Sequence, residues 1–331
     1  MKIERIPFGD VDWPALDSFE DRTIYQTKAW LEFLVSTQRA EPVIGALIDG
    51  TTVGGFFTGA LVKKFGLRFL GSPFPGWTTA YMGFNLWPGV PRDKALEALT
   101  DFAFRQLKCI HVEIMDRRIH DAETQNAGYV FGKLPGYEVD LTKGEDYIFA
   151  KMDSSCRRAI RKAYKSGVII EKASDLDFVE EFYSQLEDVF AKQRLVPTYG
   201  QARVRALIEH VYPSGNLLLL RARDQDGHCI ASGIFPAFND TAYFWGGASW
   251  RSRQILRPNE AIQWHAMRYW KNRGMLRYDM GGGGSYKEKY GGMKISVPWV
   301  HKSKYDFLSK QRQGFKRLYR FAQEMRGRKK Y

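Results

Sequence analysis

One run of turns, strands and helices occurs twice in this chain, and the repetition limits what it can fold into. In the first half, Pro42 to Ile48 reads as a strand, Asp49-Gly50 is a hairpin turn signal, and Val53 to Val62 returns. Gly66 to Phe69 continues the meander and a turn-rich stretch, Ser72 to Trp77, follows. Arg92 to Lys108 then reads as a helix with Leu96, Leu99, Ala103 and Leu107 on one face, and His111 to Ile114 as a strand. The second half repeats the plan. Asn216 to Arg223 is a strand, Asp226-Gly227 the turn, His228 to Phe238 a strand and Asn239-Asp240 another turn. Thr241 to Gly246 is the third strand, Pro258 opens a helix to about Lys271, and Leu276 to Met280 is the closing strand. The spacing from Pro91 to Ile114 nearly equals that from Pro258 to Met280. An amphipathic helix, Ile24 to Val35, with Trp30, Leu31 and Leu34 at helical spacing, precedes the first copy. Two copies of helix, antiparallel meander, helix and strand imply a mixed α/β (α+β) layer fold with two domains of ordinary size.

Composition narrows the chemistry. A hydrophobic share of 44% with 26% charged residues belongs to a chain that packs a core. The three cysteines are widely spaced, so neither a disulfide framework nor a CxxC knuckle is present, and the six histidines lack HExxH spacing. No metal is expected. The opening MKIERIPFGDVDW has no apolar core of a secretory signal. No run approaches the ~18 apolar residues of a membrane span. The expected location is the cytoplasm, with peripheral contact at the inner membrane face.

The net charge of +13 is uneven. From His301 to Tyr331 there are 11 Lys or Arg against Asp306 and Glu324. Phe315, Leu318, Tyr319, Ala322 and Met325 form an apolar stripe there, bordered by Lys316, Arg317 and Arg320. Residues 306–331 therefore read as a basic amphipathic helix that either packs on the second domain or meets a membrane or nucleic acid. A second basic helix, Ser154 to Ser166, has Asp153 or Ser154 as cap and Gly167 at its close. Arg157, Arg161 and Lys165 share one of its faces, flanked by Arg158 and Lys162. Such a stripe repels itself by a few tenths of a kcal/mol per pair, which favours a bound polyanion over a bare solvated face. GxSxG, P-loop and Rossmann fingerprints are absent; Gly281 to Gly284 follows a strand without the helix spacing.

Several segments together resemble one family. DLTKGEDYIFAKMDSSCRRAIRKAYKSGV (Asp140 to Val168), YFWGGAS, RPNEAIQWHAMRYWKNRGMLRYDMGG and YKEKYGG resemble the second half of the Fem family of peptidoglycan-bridge aminoacyltransferases. YQTKAWLEFL and GLRFLGSPFPGW resemble its first half, more weakly. The resemblance spans essentially the whole chain. It implies two tandem GNAT-like domains, here 1–140 and 141–305, followed by the basic tail 306–331. The long helical hairpin of larger members has no counterpart, since no heptad run occurs.

Such folds move an acyl group from an ester or thioester to an amine, which must be neutral, through an intermediate whose oxyanion needs a donor. Ordinary GNAT enzymes cradle coenzyme A on a loop patterned Q/R-x-x-G-x-G/A. The matching loop here is Arg253-Gln254-Ile255-Leu256-Arg257-Pro258-Asn259, without either glycine, and Pro258 lacks an N–H. That disfavours a standard coenzyme A cradle and suits the family's aminoacyl-tRNA donor.

The resemblance places Lys287, of the pair Tyr286-Lys287, at the donor end, where a cation stabilises an oxyanion or holds a phosphate. Lys289 competes for that role. Asp279 would orient or deprotonate an amine. Tyr243, Trp245 and Tyr286 would line the acceptor pocket, and Arg194 and Tyr199 match positions that touch acceptor phosphates. Arg157, Arg161, Lys165, Arg253, Arg257 and Asn259 are the donor-phosphate candidates. Tyr243, Trp245 and Asp279 also read as core or turn residues. The expected partners are aminoacyl-tRNA and a nucleotide- or lipid-linked cell-wall precursor, with no permanently bound cofactor. Two rival readings stand: an acyl-CoA-dependent N-acyltransferase acting on an envelope or exopolysaccharide sugar, and a non-catalytic RNA- or membrane-binding protein.

Overall fold

The computed structural model describes residues 1–305; the expected tail helix lies outside them. Along the chain the strands are β1 (Lys2–Ile6), β2 (Glu41–Asp49), β3 (Thr52–Lys64), β4 (Leu67–Ser72), β5 (Gly83–Leu86), β6 (His111–Met115), β7 (Val130–Asp140), β8 (Ile169–Lys172), β9 (Leu217–Arg223), β10 (Cys229–Phe238), β11 (Thr241–Tyr243), β12 (Gly246–Ser249), β13 (Arg277–Gly282) and β14 (Met293–Ser303). The helices are α1 (Trp13–Asp17), α2 (Lys28–Gln38), α3 (Arg92–Asp101), α4 (Asp121–Asn126), α5 (Glu145–Lys151), α6 (Ser154–Lys165), α7 (Asp177–Ala191), α8 (Gln201–Val211) and α9 (Pro258–Lys271).

The chain divides into two compact units. Among the described residues, the first is Met1–Pro135 with residues 296–305, and the second is Gly136–Ile295. The expected second domain, 141–305, therefore runs past the second unit. The cause is pairing: Trp299 to Ser303 of β14 lie antiparallel to Met115 to His111 of β6, inside the first unit.

In the first unit the strand order is β1-β2-β3-β4-β6-β14, with β5 on β3. The Asp49-Gly50 turn forms as expected, with Gly50 at φ 61°. Thr27 caps α2 by accepting the Trp30 N–H, and Trp30, Leu31, Phe33 and Leu34 are its buried residues. The helix expected over Arg92 to Lys108 ends at Asp101; a wider π-type turn, Phe102–Gln106, completes it. Leu96, Leu99, Phe102 and Ala103 pack with Val43, Leu47, Phe57, Val112 and Ile114. β4 and β6 run parallel, with Ser72 opposite Ile114. Just past them the chain closes on itself. Met82 N–H donates to the Met115 carbonyl (3.1 Å), and Gly83 N–H donates to Ser72 Oγ (2.7 Å).

The second unit has the order β7-β13-β11-β10-β9-β8, with β12 on β10. β10 is buried along nearly its whole length because α7 and α9 both pack on it. Ala261, Ile262, Trp264, Ala266, Met267 and Trp270 of α9 join Phe235, Ala242, Tyr278 and Met280 in one core. Each large side chain so buried contributes roughly 1.5–3 kcal/mol. Tyr278, wholly buried, donates its hydroxyl to Gln263 Oε1 at 2.6 Å, so its polar end is satisfied.

The third strand of this meander was expected to be continuous and is not. Thr241 to Tyr243 lie parallel to Arg277 to Asp279, while Gly246 to Ser249 pair with β10 alone. Between them Phe244 N–H donates to the Asp279 carbonyl (2.8 Å) and Trp245 N–H to the Ile234 carbonyl (3.1 Å). The chain thus leaves β13 at Phe244 and stays with β10.

The closed loop of the first unit yields a stability prediction. Gly83 sits at φ +80°, and a Cβ there would stand 2.7 Å from the buried Asp116 side chain, which accepts from Arg92 (3.0 Å) and the Phe84 N–H (3.3 Å). Gly83→Ala should destabilise the protein by about 2 kcal/mol or more, from the left-handed penalty plus displacement of Asp116. A urea unfolding midpoint that does not move would contradict this.

Candidate functional site

The site lies where β11 and β12 part from β13. β13 is irregular there, because its register with β7 shifts between Asp279 and Gly282. That irregularity leaves carbonyls without a strand partner, and buried carbonyls must be paired. Lys287 pairs them. From the short turn Ser285–Tyr290 its Nζ donates to the carbonyls of Met280 (2.5 Å) and Gly282 (2.7 Å). The ammonium has three donors, so one N–H remains without a partner among the described residues. Lys287 is 6% exposed, and burial lowers its pKa from the ordinary lysine value, against the opposing pull of Asp279. Asp279, 1% exposed, accepts the Gly281 N–H at 2.6 Å and so shapes the turn that Lys287 spans. The turn therefore brings Lys287 and Asp279 together, with Asp279 shaping the turn.

The lysine turn is itself anchored. Lys289 carbonyl accepts the Asp153 N–H (2.9 Å), at the start of α6. Tyr137 donates to Glu288 (2.9 Å). Gly291, at φ +77°, lies where a Cβ would be 3.0 Å from the Lys151 carbonyl, so only glycine fits the crossing. Tyr286 is half exposed, with its ring 5.9 Å from Lys287 Nζ.

Beside this turn is a cavity of about 320 Å³ lined by Ser155, Cys156, Arg158, Ala159 and Lys162 of α6, Arg257 and Glu260 at the start of α9, and Lys289. Four cations face one carboxylate, and Lys289 pairs with that carboxylate, Glu260, at 2.7 Å. Arg257 adopts φ +60°, a left-handed conformation that favours glycine, and Pro258 follows at the first helical position. The dipole of a 14-residue helix adds partial positive charge at this end. Cys156 on the floor is no nucleophile: burial pushes its thiol up to about 12. The arrangement suits a multiply charged anion held by side chains.

This corrects the expected phosphate face of α6. Arg157 turns back to donate to the carbonyls of Ala150 (2.8 Å) and Met152. Arg161 lies over the Phe149 ring at 5.3 Å, and Lys165 is exposed. The residues that reach the cavity are the flanking pair Arg158 and Lys162, one turn apart. Counting along a helix groups a face but does not tell which neighbours that face meets. Arg253 stands 3.6 Å from Asp224, and Asn259 donates to Ser249 Oγ (2.9 Å), so both brace the loop.

On the acceptor side Tyr243 and Trp245 are buried, as their core reading required. Trp245 also meets Tyr199, with rings 5.4 Å apart, and its Nε1 is buried without a partner among the described residues. Arg203, which sequence reasoning missed, lies over Tyr199 at 5.7 Å, and burial lowers its pKa to about 10. Arg194 is exposed at φ +53°, and its guanidinium makes no hydrogen bond or ion pair among the described residues. Asp224, Asp226 and His228 have metal-ligating spacing, but Asp224 already accepts the N–H groups of Asp226 (3.2 Å) and His228 (3.0 Å).

Residues 150–290 match the acetyltransferase (GNAT) domain family model. No curated protein sequence matches the chain. Among solved structures, FemX superposes with a TM-score of 0.72 at 14% identity, over 91% of this chain and 97% of that one. A tandem GNAT protein from the clavulanic acid biosynthesis pathway gives 0.58 at 9%, over 92% and 98%. The C-terminal domain assigned to a lysylphosphatidylglycerol synthetase from Agrobacterium fabrum gives 0.56 at 9%, over 84% and 87%. At these identities the likeness is one of fold: a Fem-like tandem GNAT arrangement whose second unit carries the GNAT acyltransferase domain.

The left-handed arginine separates stability from binding. Arg257→Gly should hold or raise the melting temperature, since glycine relieves a left-handed penalty of about 1–2 kcal/mol. The same change should weaken binding of inorganic pyrophosphate, measured by calorimetry, roughly tenfold, the loss of one charge-assisted contact. A lower melting temperature with unchanged binding would make Arg257 a purely structural residue.

Proposed function

We propose that this protein is an acyltransferase of the cell envelope, moving an aminoacyl group from aminoacyl-tRNA to an amine of a peptidoglycan precursor or related envelope peptide. The observation that carries this reading is the cation-lined cavity at the start of α9, where the loop has no glycine, Arg257 is left-handed and Pro258 removes an N–H. A pyrophosphate held by backbone N–H groups needs those glycines. A phosphodiester chain met by Arg158, Lys162, Arg257 and Lys289 does not. The names of FemX and of the lysylphosphatidylglycerol synthetase point the same way, toward aminoacyl groups and envelope acceptors.

The chemistry follows from the parted strands. The neutral amine attacks the ester carbonyl, a C–N bond forms, and the C–O bond to the tRNA ribose breaks. The proton lost by the amine ends on the leaving ribose oxygen. Negative charge develops on the carbonyl oxygen, and the remaining N–H of Lys287 is the donor for it. Two of its three donors are fixed on carbonyls, so the ammonium is held in place before substrate arrives. Asp279 positions the turn beneath it. Tyr199, Trp245 and Arg203 wall the acceptor side. The rival donor, acyl-CoA, would use the same opening between strands.

Two measurements test this. Purified protein should transfer a labelled aminoacyl group from charged tRNA to an amine acceptor, and ribonuclease should abolish transfer. Transfer that survives ribonuclease and requires acyl-CoA would replace the donor; tRNA binding without transfer to any amine would make the protein a scaffold. The pH profile tests Lys287. A cation is required, and burial lowers its pKa from the ordinary lysine value, so the rate should fall on the alkaline side earlier than an ordinary lysine allows. Lys287→Arg should move that limb upward, and Lys287→Met should cost roughly 10²–10³ in kcat.

A further inference from the structure

The β3–β4 hairpin of the first unit ends in a tip that its own fold does not need. Lys64 faces Leu67 across the strands, so Phe65-Gly66 is a two-residue turn. Both turn residues have positive φ, +52° and +74°. Turns of this kind favour Asn-Gly, because asparagine tolerates the left-handed region and a bulky aromatic does not. Phe65 is nevertheless 88% exposed, and Leu67 beside it is 44% exposed. Local strain combined with a ring that buries almost none of its surface points toward an outside partner.

The surroundings define that partner. Lys63 and Lys64 flank the ring. Ile110 N–H donates to the Arg68 carbonyl (2.9 Å), and Lys304 N–H donates to the Ile110 carbonyl (2.9 Å), so the starts of β4 and β6 and the end of β14 lie in one row. Exposed Lys108 and Lys304 and half-exposed Tyr305 therefore share this end of the sheet with Phe65. None of these four lysines is paired with a carboxylate among the described residues. Glu41, opposite Leu61 in the neighbouring strand, is held by Arg5 at 2.6 Å. The chain continues from Tyr305 into residues 306–331, whose sequence has nine Lys or Arg and two acidic residues.

We infer that this sheet end is a docking surface for an anionic phospholipid bilayer, with Phe65 and Leu67 entering the headgroup–acyl boundary. Lys63, Lys64, Lys108 and Lys304 meet the lipid phosphates. Basic flanks around an apolar wedge are what an anionic interface selects. A nucleic acid would use Phe65 as a stacking platform, but Lys64 Nζ already lies over that ring at 5.6 Å. The surface does not depend on which donor the second unit uses.

Flotation of the full-length protein with vesicles gives the test. Binding to phosphatidylglycerol–phosphatidylcholine vesicles should exceed binding to phosphatidylcholine alone, and should weaken as salt shortens the ~10 Å screening length at 0.1 M. Phe65→Asn should lower the partition coefficient on anionic vesicles roughly tenfold. It should leave the melting temperature equal or higher, because Asn-Gly suits the turn. Lys63→Glu with Lys64→Glu should also abolish the preference for anionic vesicles. The proposal is overturned if wild-type protein ignores anionic vesicles, if Phe65→Asn binds them as well as wild type, or if Phe65→Asn destabilises the fold. It is also overturned if the substitution instead abolishes self-association in sedimentation or tRNA binding.

Discussion

The pairing of the Met280 carbonyl decides what each half of this molecule can do. Both units run a strand parallel to a neighbour and then let the two diverge: β4 beside β6, and β11 beside β13. At matching positions past the last pair stand Met115 and Met280. In the first unit the Met115 carbonyl is taken by the backbone N–H of Met82, from the chain's own returning loop. In the second, Lys287 takes the Met280 carbonyl with a flexible side chain. A backbone partner brings its whole chain with it. A lysine satisfies the same oxygen with one atom and keeps an N–H to spare. Among the described residues, the second unit is thus the one in which a satisfied Met280 carbonyl leaves a side-chain N–H to spare.

The same economy governs the cations. The second unit is rich in Arg and Lys, yet many are committed to structure. Arg157 braces the segment before α6, Arg253 and Asn259 brace the loop before α9, and Arg221 is tied bidentately to Asp175. Facing the cavity beside the lysine turn are Arg158, Lys162, Arg257 and the ion-paired Lys289. Surface charge alone would have suggested a broad basic face. Hydrogen bonding narrows it to a compact cation-lined cavity next to the lysine turn, joined to it through Lys289 and Asp153.

The doubled plan was legible in the sequence because its markers are local. Asp-Gly turns, proline-opened helices and apolar spacing report on their own neighbourhoods, and Gly50 and Gly227 both adopt the positive φ those turns require. The pairing of β14 with β6 was not legible. β7 carries Gly132, Pro135 and Gly136, and β14 carries Pro298, so neither shows clean alternation, and their partners are distant in sequence. The break at Phe244 and Trp245 was hidden as well, since an unbroken apolar run gives no sign that two successive N–H groups turn to different partners. For the site, Lys287 and Asp279 stood out through resemblance, whereas Arg203 and the cavity-facing side of α6 depend on packing that no local pattern encodes.

The account's central claim is that the second unit adds an aminoacyl group to an envelope amine. Mass spectrometry of cell-wall precursors from otherwise identical cells, with and without the protein, tests it most directly. The account predicts a precursor heavier by one aminoacyl residue on an amine, present only with the protein and lost with Lys287→Met. An unchanged precursor pool, or an increment matching a simple acetyl group, would contradict it.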